Sequence, residues 1–324
     1  MNAMNAMNMN AQKQDLRDAQ IASYTALARE GAPILYLVSD SVSTSKVKPF
    51  RDAFPEKVVN VGIAEQNLIG FACGLASGGF IPVTGNAAPF LISRSLEQIK
   101  VDLSYSRANV KINGMHSGFS YGTDGVTHHE VNDVCFMRGM PALEIYVPCD
   151  ARECTLMTRY GVLERKGPVY TSLNTGAFPV ITPEDYKFMP GKPVQFAEGS
   201  DLTLIALGSA VHDVLAALPL LNCSCDVFAV TSIRPFDGSA LAASAKKTGH
   251  VLAVEQHSTN GGVGSLAAAL IAGNGIGARL AMLGIPEGSF TKNWTAPENK
   301  KHFGLDAEGI ARTARELLWN TPSR

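Results

Sequence analysis

The stretch VVNVGIAEQNLIG, residues 58–70, constrains the fold more than any other part of the chain. An apolar run over 58–63 is expected to be a buried strand. It ends in a glycine turn, and Glu65 then heads a helical spacing that continues through Leu68, Ile69, Ala72 and Leu75. An acid placed where a strand hands over to a helix lies at the carboxyl edge of a sheet, where α/β folds bind their ligands. First-turn amides and the helix dipole stabilise its charge there. An ordinary capping acid would look the same in isolation, so the surrounding chain has to decide between the two.

The surrounding chain repeats the alternation. Helical spacing over 16–30 (Leu16, Ala19, Ile21, Tyr24, Leu27, Ala28) stops at Gly31, and a short apolar strand follows at 34–38. Strands are expected at 80–84, 110–113, 143–147 and 169–173. Helices are expected at 90–103, with Phe90, Leu91, Leu96, Ile99 and Leu103 on one face, and at 131–138 and 151–165. A polar, glycine-rich loop over 114–130 is longer than ordinary connections and marks a functional segment. Prolines at 179, 183, 190 and 193 break the pattern, placing a domain boundary near residue 190. Beyond it the alternation restarts with strands at 202–207, 225–230, 251–255 and 279–283 and helices at 210–218, 238–247, 264–272 and 307–318. The expected fold is α/β, with two mostly parallel-sheet domains over 15–189 and 190–324 after a disordered leader, 1–14. The length of 324 residues suffices for two cores.

Several function classes are excluded. A formal net charge of −1 without a basic cluster argues against nucleic acid or a membrane surface as partner. No apolar run has the length of a membrane span, and the MNAMNAMNMN leader lacks the basic start and apolar core of a signal peptide. The six cysteines have no metal-ligand spacing and read as buried or incidental thiols in a reducing, cytoplasmic setting. No cluster of oxygen ligands suggests a metal held by this chain. Gly262-Val263-Gly264 reads as a tight helix entry, because no acid ends the following strand as a dinucleotide site requires.

The GIAEQ turn resembles the pyrimidine-binding domain of thiamine diphosphate enzymes, in particular transketolases and deoxyxylulose phosphate synthases. Gly114 to Gly118, Gly122 to His128, and the IRPFD (233–237) and VEQH (254–257) segments extend the resemblance from about residue 15 to the end. It implies that Glu65 bonds a ring nitrogen of the cofactor's aminopyrimidine and favours its imino tautomer, while the cofactor does the carbanion chemistry. It implies that Phe90 stacks on the pyrimidine, with Ile63 a further cofactor contact. Ala87 and Ser93 stand where flanking aromatics are common. By the same resemblance His116 lines the substrate channel near the phosphate end, Asp124 reads a hydroxyl beside the reacting carbon, and His128 lies close to the reacting oxygens. Imidazoles titrating near neutrality suit such proton traffic. Thr175 stands where an arginine usually grips the substrate phosphate, so either the substrate is no standard pentose phosphate or its anion is held differently. His257, in the VEQH segment, is either an interface residue or a satisfied surface histidine, and the second is expected.

In this resemblance the domain that holds Mg²⁺ and the cofactor diphosphate has no counterpart here; Thr123-Asp124-Gly125 lacks the asparagine pair that a metal-diphosphate site needs. The expectation is therefore one subunit of a two-chain transketolase. It would move a two-carbon ketol unit from a ketose to an aldose, with Mg²⁺ held by a separate diphosphate-domain partner and self-association giving an α₂β₂ assembly. The alternatives are the β subunit of a 2-oxo acid dehydrogenase, which has the same outline, and a non-catalytic homologue.

Overall fold

A computed structural model describes residues 12–319. The strands are β1 (Lys13–Asp15), β2 (Ile34–Val38), β3 (Val58–Asn60), β4 (Ile81–Ala87), β5 (Lys111–Ser117), β6 (Glu144–Tyr146), β7 (Val169–Asn174) and β8 (Ala177–Pro179), then β9 (Val194–Ala197), β10 (Leu202–Leu207), β11 (Cys225–Val230), β12 (Ser232–Arg234), β13 (His250–Ser258) and β14 (Arg279–Ile285). One seven-stranded sheet has the order β12-β6-β7-β5-β4-β2-β3, parallel except for β12. A five-stranded sheet has the order β14-β13-β10-β11-β9, parallel except for β9. The fold is thus α/β with two mostly parallel sheets. Their central strands β4, β7, β10 and β11 are buried at every residue, as sheets covered on both faces must be.

Three helices position the site described below: α1 (Leu16–Arg29), α3 (Glu65–Ser77) and α4 (Ala88–Arg94), with α2 (Lys48–Ala53) between the first two. Asp15 caps α1, its side chain accepting from the Arg17 amide at 2.9 Å. A strand that sequence periodicity misses joins the two halves: β12 lies beyond residue 190 yet pairs with β6 of the first sheet.

Several expectations need correction. Lys13 and Gln14, placed in the leader by composition, form β1 with Asp15 and pair antiparallel with β8; residues 1–11 lie outside the described part. The run 58–63 is not a buried strand. β3 covers only Val58–Asn60 at the sheet edge, and Ile63 is 75% exposed, because nothing among the described residues covers that edge. The single helix expected over 90–103 breaks at Ser95, where the hydroxyl bonds the Leu91 carbonyl, and resumes as Leu96–Gln98 and a π-helix, Ile99–Tyr105. Leu91, Ile99 and Leu103 are buried nonetheless. A further helix, Ala296–His302, carries a local signal that apolar periodicity overlooks: Thr295 and Glu298 form a capping box, with Pro297 in the first turn. All six thiols are free, but only Cys149, Cys154 and Cys225 are buried.

His257 is no surface residue. It is 1% exposed and lies between the two halves, where Nε2 accepts from the Cys135 amide at 3.3 Å and Nδ1 meets the Ser258 carbonyl at 2.7 Å. Beside it, Glu255 explains the glycines at the next helix entry. Its carboxylate accepts from the Val263 and Gly264 amides at 2.7 and 3.0 Å, so an internal acid occupies the anion position of that N-terminus. A Cβ on Gly262 would come within 1.8 Å of that carboxylate. Glu255→Ala strands two buried amides and is expected to cost about 2–4 kcal/mol. Urea unfolding reads this as a lower midpoint, and a change below about 0.5 kcal/mol would refute it.

Candidate functional site

Loops at the carboxyl edge of the first sheet converge on Glu65. Ala64 precedes the first turn of α3, and its amide donates to the Ser39 hydroxyl at 2.8 Å, while that hydroxyl donates to the Gly62 carbonyl at 2.6 Å. Asn86, 1% exposed at the end of β4, accepts from the Ser39 amide and donates to the Ser39 carbonyl. The ends of β2 and β4 and the start of α3 are therefore tied together, fixing where the Glu65 carboxylate, 6% exposed, points.

The acid is not left unpaired. Arg94, the last residue of α4, donates from Nη1 to both Glu65 oxygens at 3.1 and 3.2 Å. The same guanidinium lies over the Phe90 ring, 4.5 Å from its centroid. From there aromatic contacts run onward. Phe90 meets His128 edge to face at 5.1 Å, His128 meets Tyr121 at 5.2 Å, and Tyr121 stacks on His116 at 4.4 Å with 21° between ring planes. His116 Nε2 then lies 2.7 Å from Arg17 Nη1. Glu65, Phe90, His128 and His116 thus form one connected surface, although they come from separate segments of the chain.

Asp124 and Ile63 stand apart from this series. Asp124 is exposed on the 3₁₀ turn Gly122–Thr127, and its carboxylate makes no hydrogen bond among the described residues. That turn is fixed from the second half of the chain. Gly125 has φ 73°, and a Cβ there would fall 2.0 Å from Asn293 Oδ1, so only glycine serves. Ile63 is an uncovered apolar side chain two residues before Glu65. Ala87 is buried and Ser93 exposed, so neither supplies an aromatic face.

Sequence reasoning missed Arg94, Arg17 and Tyr121. The signal for Arg94 was its place four residues after Phe90, one helical turn on. Nothing local pointed to Arg17, whose role depends on α1 reaching β5. Its guanidinium bonds both Asp15 oxygens, and Lys46 bonds Asp15 at 3.2 Å and Asp18 at 2.7 Å.

His116 departs from the expectation of an imidazole titrating near neutrality. Burial, followed by the Arg17 charge, pushes its pKa down to about 4. The neutral ring accepts from Arg17 at Nε2, which assigns the proton to Nδ1. That atom is buried without a partner among the described residues and offers a donor to a bound oxygen. The backbone is correspondingly strained, with φ 62° at His116. No group of three or more His, Cys, Asp or Glu side chains that could hold a metal occurs among the described residues. No helix there is long and apolar enough to cross a membrane.

Comparison with known proteins matches both halves of the chain. The transketolase pyrimidine-binding domain matches residues 12–179 and the transketolase C-terminal domain matches 191–310. The chain is 41% identical over 305 residues to one subunit of the apulose-4-phosphate transketolase of Actinobacillus succinogenes, covering 93% of this chain and 98% of that one. It is 33% identical over 305 residues to the 6-deoxy-6-sulfo-D-fructose transketolase subunit SqwH of Clostridium sp. (strain MSTE9), covering 93% and 94%. Among solved structures, one described as a split gene transketolase, inactive beta4 tetramer, superposes with a TM-score of 0.83 at 30% identity, covering 94% of this chain and 98% of that one.

The protonation of His116 is checked by NMR of the imidazole nitrogens. The folded chain should hold His116 neutral to about pH 5, with titration near pH 4, whereas an unfolded histidine titrates near 6.5. Because the unfolded chain takes up a proton that the folded one refuses, this residue erodes stability as pH falls from about 6.5 to 4. Arg17→Gln should raise the pKa; an unchanged value would mean that Arg17 does not act on the ring.

Proposed function

Because this chain belongs to the transketolase family, carrying its pyrimidine-binding and C-terminal domains and homologous to one subunit of its two-chain members, we propose that it supplies Glu65 to an enzyme that transfers a two-carbon ketol unit from a ketose to an aldose. The carrying observation is the seat of Arg94. A planar guanidinium lies on the Phe90 ring and donates to the Glu65 carboxylate, the same pair of contacts, stacking and a donated hydrogen bond, that an aminopyrimidine would make there. The residues present therefore fit thiamine diphosphate once Arg94 swings out, and half its side chain is already exposed.

Thiamine diphosphate, when bound, supplies the carbon nucleophile for breaking and making the sugar carbon–carbon bond. Glu65 would hold a proton on its pyrimidine, Phe90 would stack on that ring, and exposed Ile63 would cover its edge. On the substrate side, His116 donates from Nδ1 to a sugar oxygen and Asp124 accepts from a hydroxyl. His128, flanked by Phe90 and Tyr121, stands between the cofactor side and the substrate side of the surface, where proton movement is required. Mg²⁺ and the diphosphate belong to a separate diphosphate-domain subunit. On the outer face of α3, Gly70, Phe71 and Gly74 are exposed; two small residues flanking an uncovered ring suit close pairing of two copies in an α₂β₂ assembly.

The relatives described above act, by their names, on sugars that carry a phosphate or a sulfo group. We extend this to the present chain: the donor carries an anionic group of that kind, held near Arg17, Lys46 and His116 rather than by a guanidinium at position 175. Thr175 leaves its own hydroxyl buried and unpartnered among the described residues.

Co-expression with a diphosphate-domain subunit tests the reading. Ketol transfer from xylulose 5-phosphate should require both chains, Mg²⁺ and cofactor, and Glu65→Ala should lower kcat by about 10²-fold or more. Full activity of the single chain would contradict it. A KM for the dephosphorylated donor at least about tenfold higher supports the anion subsite, and equal values remove it. Arg94→Ala removes a competitor for Glu65 worth about 1 kcal/mol, given its exposure, and should tighten cofactor binding by roughly fivefold in calorimetry. Weaker binding would show that Arg94 belongs to the loaded site.

A further inference from the structure

The chemistry above uses only the carboxyl edge of the first sheet. At the opposite edge, before the first residues of β5, β6 and β7, lies a recess of about 380 Å³ that none of those roles employs. Arg107, Glu144, Arg165, Lys166 and Arg234 line it. The first four come from loops and strand starts of the first half, whereas Arg234 ends β12, the strand that the second half lends to this sheet.

Its charges do not balance. Glu144 is already engaged, one oxygen 2.9 Å from Arg165 Nε and the other accepting from the Tyr146 hydroxyl at 2.6 Å. Among the described residues Arg234 donates only to backbone carbonyls, those of Arg138, Met140 and Leu143. Arg107 and Lys166 are exposed and make no ion pair among the described residues. Three cations thus face one recess with no carboxylate of their own. Their neighbourhood is felt by Lys111, whose ammonium is bonded to the Arg165 and Gly167 carbonyls and to Asn109; burial, followed by the Arg165 charge, pushes it down to about 7. Arg107 also holds φ 56°, a conformation that non-glycine residues seldom adopt.

We propose that this recess binds a small phosphorylated polyanion, of the diphosphate class. Its volume lies in the range of small-molecule pockets, and paired guanidinium groups match phosphate oxygens in geometry as well as charge. Because Arg234 belongs to the second half and the other cations to the first, a bound diphosphate clasps the two halves together and stabilises the folded chain by mass action.

Inorganic pyrophosphate, added without Mg²⁺ to the full chain at low salt, is the probe. Calorimetry should show one site, with a rise in the thermal midpoint that sulfate at equal ionic strength does not reproduce. Arg107→Glu with Lys166→Glu, both exposed, should weaken binding at least tenfold while leaving the ligand-free midpoint unchanged. Lys46→Ala, which removes a cation from the anion subsite at the opposite edge, should leave the affinity as it was. Undiminished binding by the double variant, equal loss in Lys46→Ala, or an equal response to sulfate would overturn the proposal. These readouts do not involve ketol transfer, so they stand or fall separately from the catalytic reading.

Discussion

A carboxylate that is almost wholly buried must be paired, and the pairing of Glu65 organises the site around it. The first turn of α3 supplies favourable dipole ends, but the neighbour that bonds both oxygens is Arg94. Since Arg94 also lies on Phe90, the acid and the ring share one planar partner. Under the proposed reading, a planar nitrogen heterocycle would take the place of this guanidinium between an acid and a ring that are already in position, which would keep the reorganisation on binding small.

The second half of the chain sustains this geometry from behind. Asn293 packs against Gly125 and holds the turn that carries Asp124 and leads to His128. β12 completes the first sheet beside β6, and His257 bonds the Cys135 amide across the boundary. Glu255 closes a helix N-terminus that would otherwise attract an external anion. These contacts make the second half of the chain a support for the turn that carries Asp124.

The two edges of the first sheet have opposite characters. At the carboxyl edge cations are matched by acids, Arg94 with Glu65, Arg17 with Asp15, and Lys46 with Asp15 and Asp18. At the amino edge Arg107, Lys166 and Arg234 exceed the single carboxylate of Glu144. At the carboxyl edge burial, followed by the Arg17 charge, keeps His116 neutral, whereas the cations of the amino edge stand in excess of their acid and attract anions.

Consecutive residues suffice to specify the alternation of strand and helix, the place of Glu65 at the head of α3, and the family to which the GIAEQ turn and the 114–128 loop belong. Periodicity, turn residues and motif wording are all local. Only in the folded chain do Arg94 and Arg17 join the site, does His116 become neutral, is Ile63 left uncovered and is His257 buried. Each of these depends on residues distant in sequence meeting in space, such as α1 against β5 or β12 beside β6. Burial and neighbouring charge, which set an imidazole's protonation, are properties of that meeting and not of the residue's own neighbours in the chain.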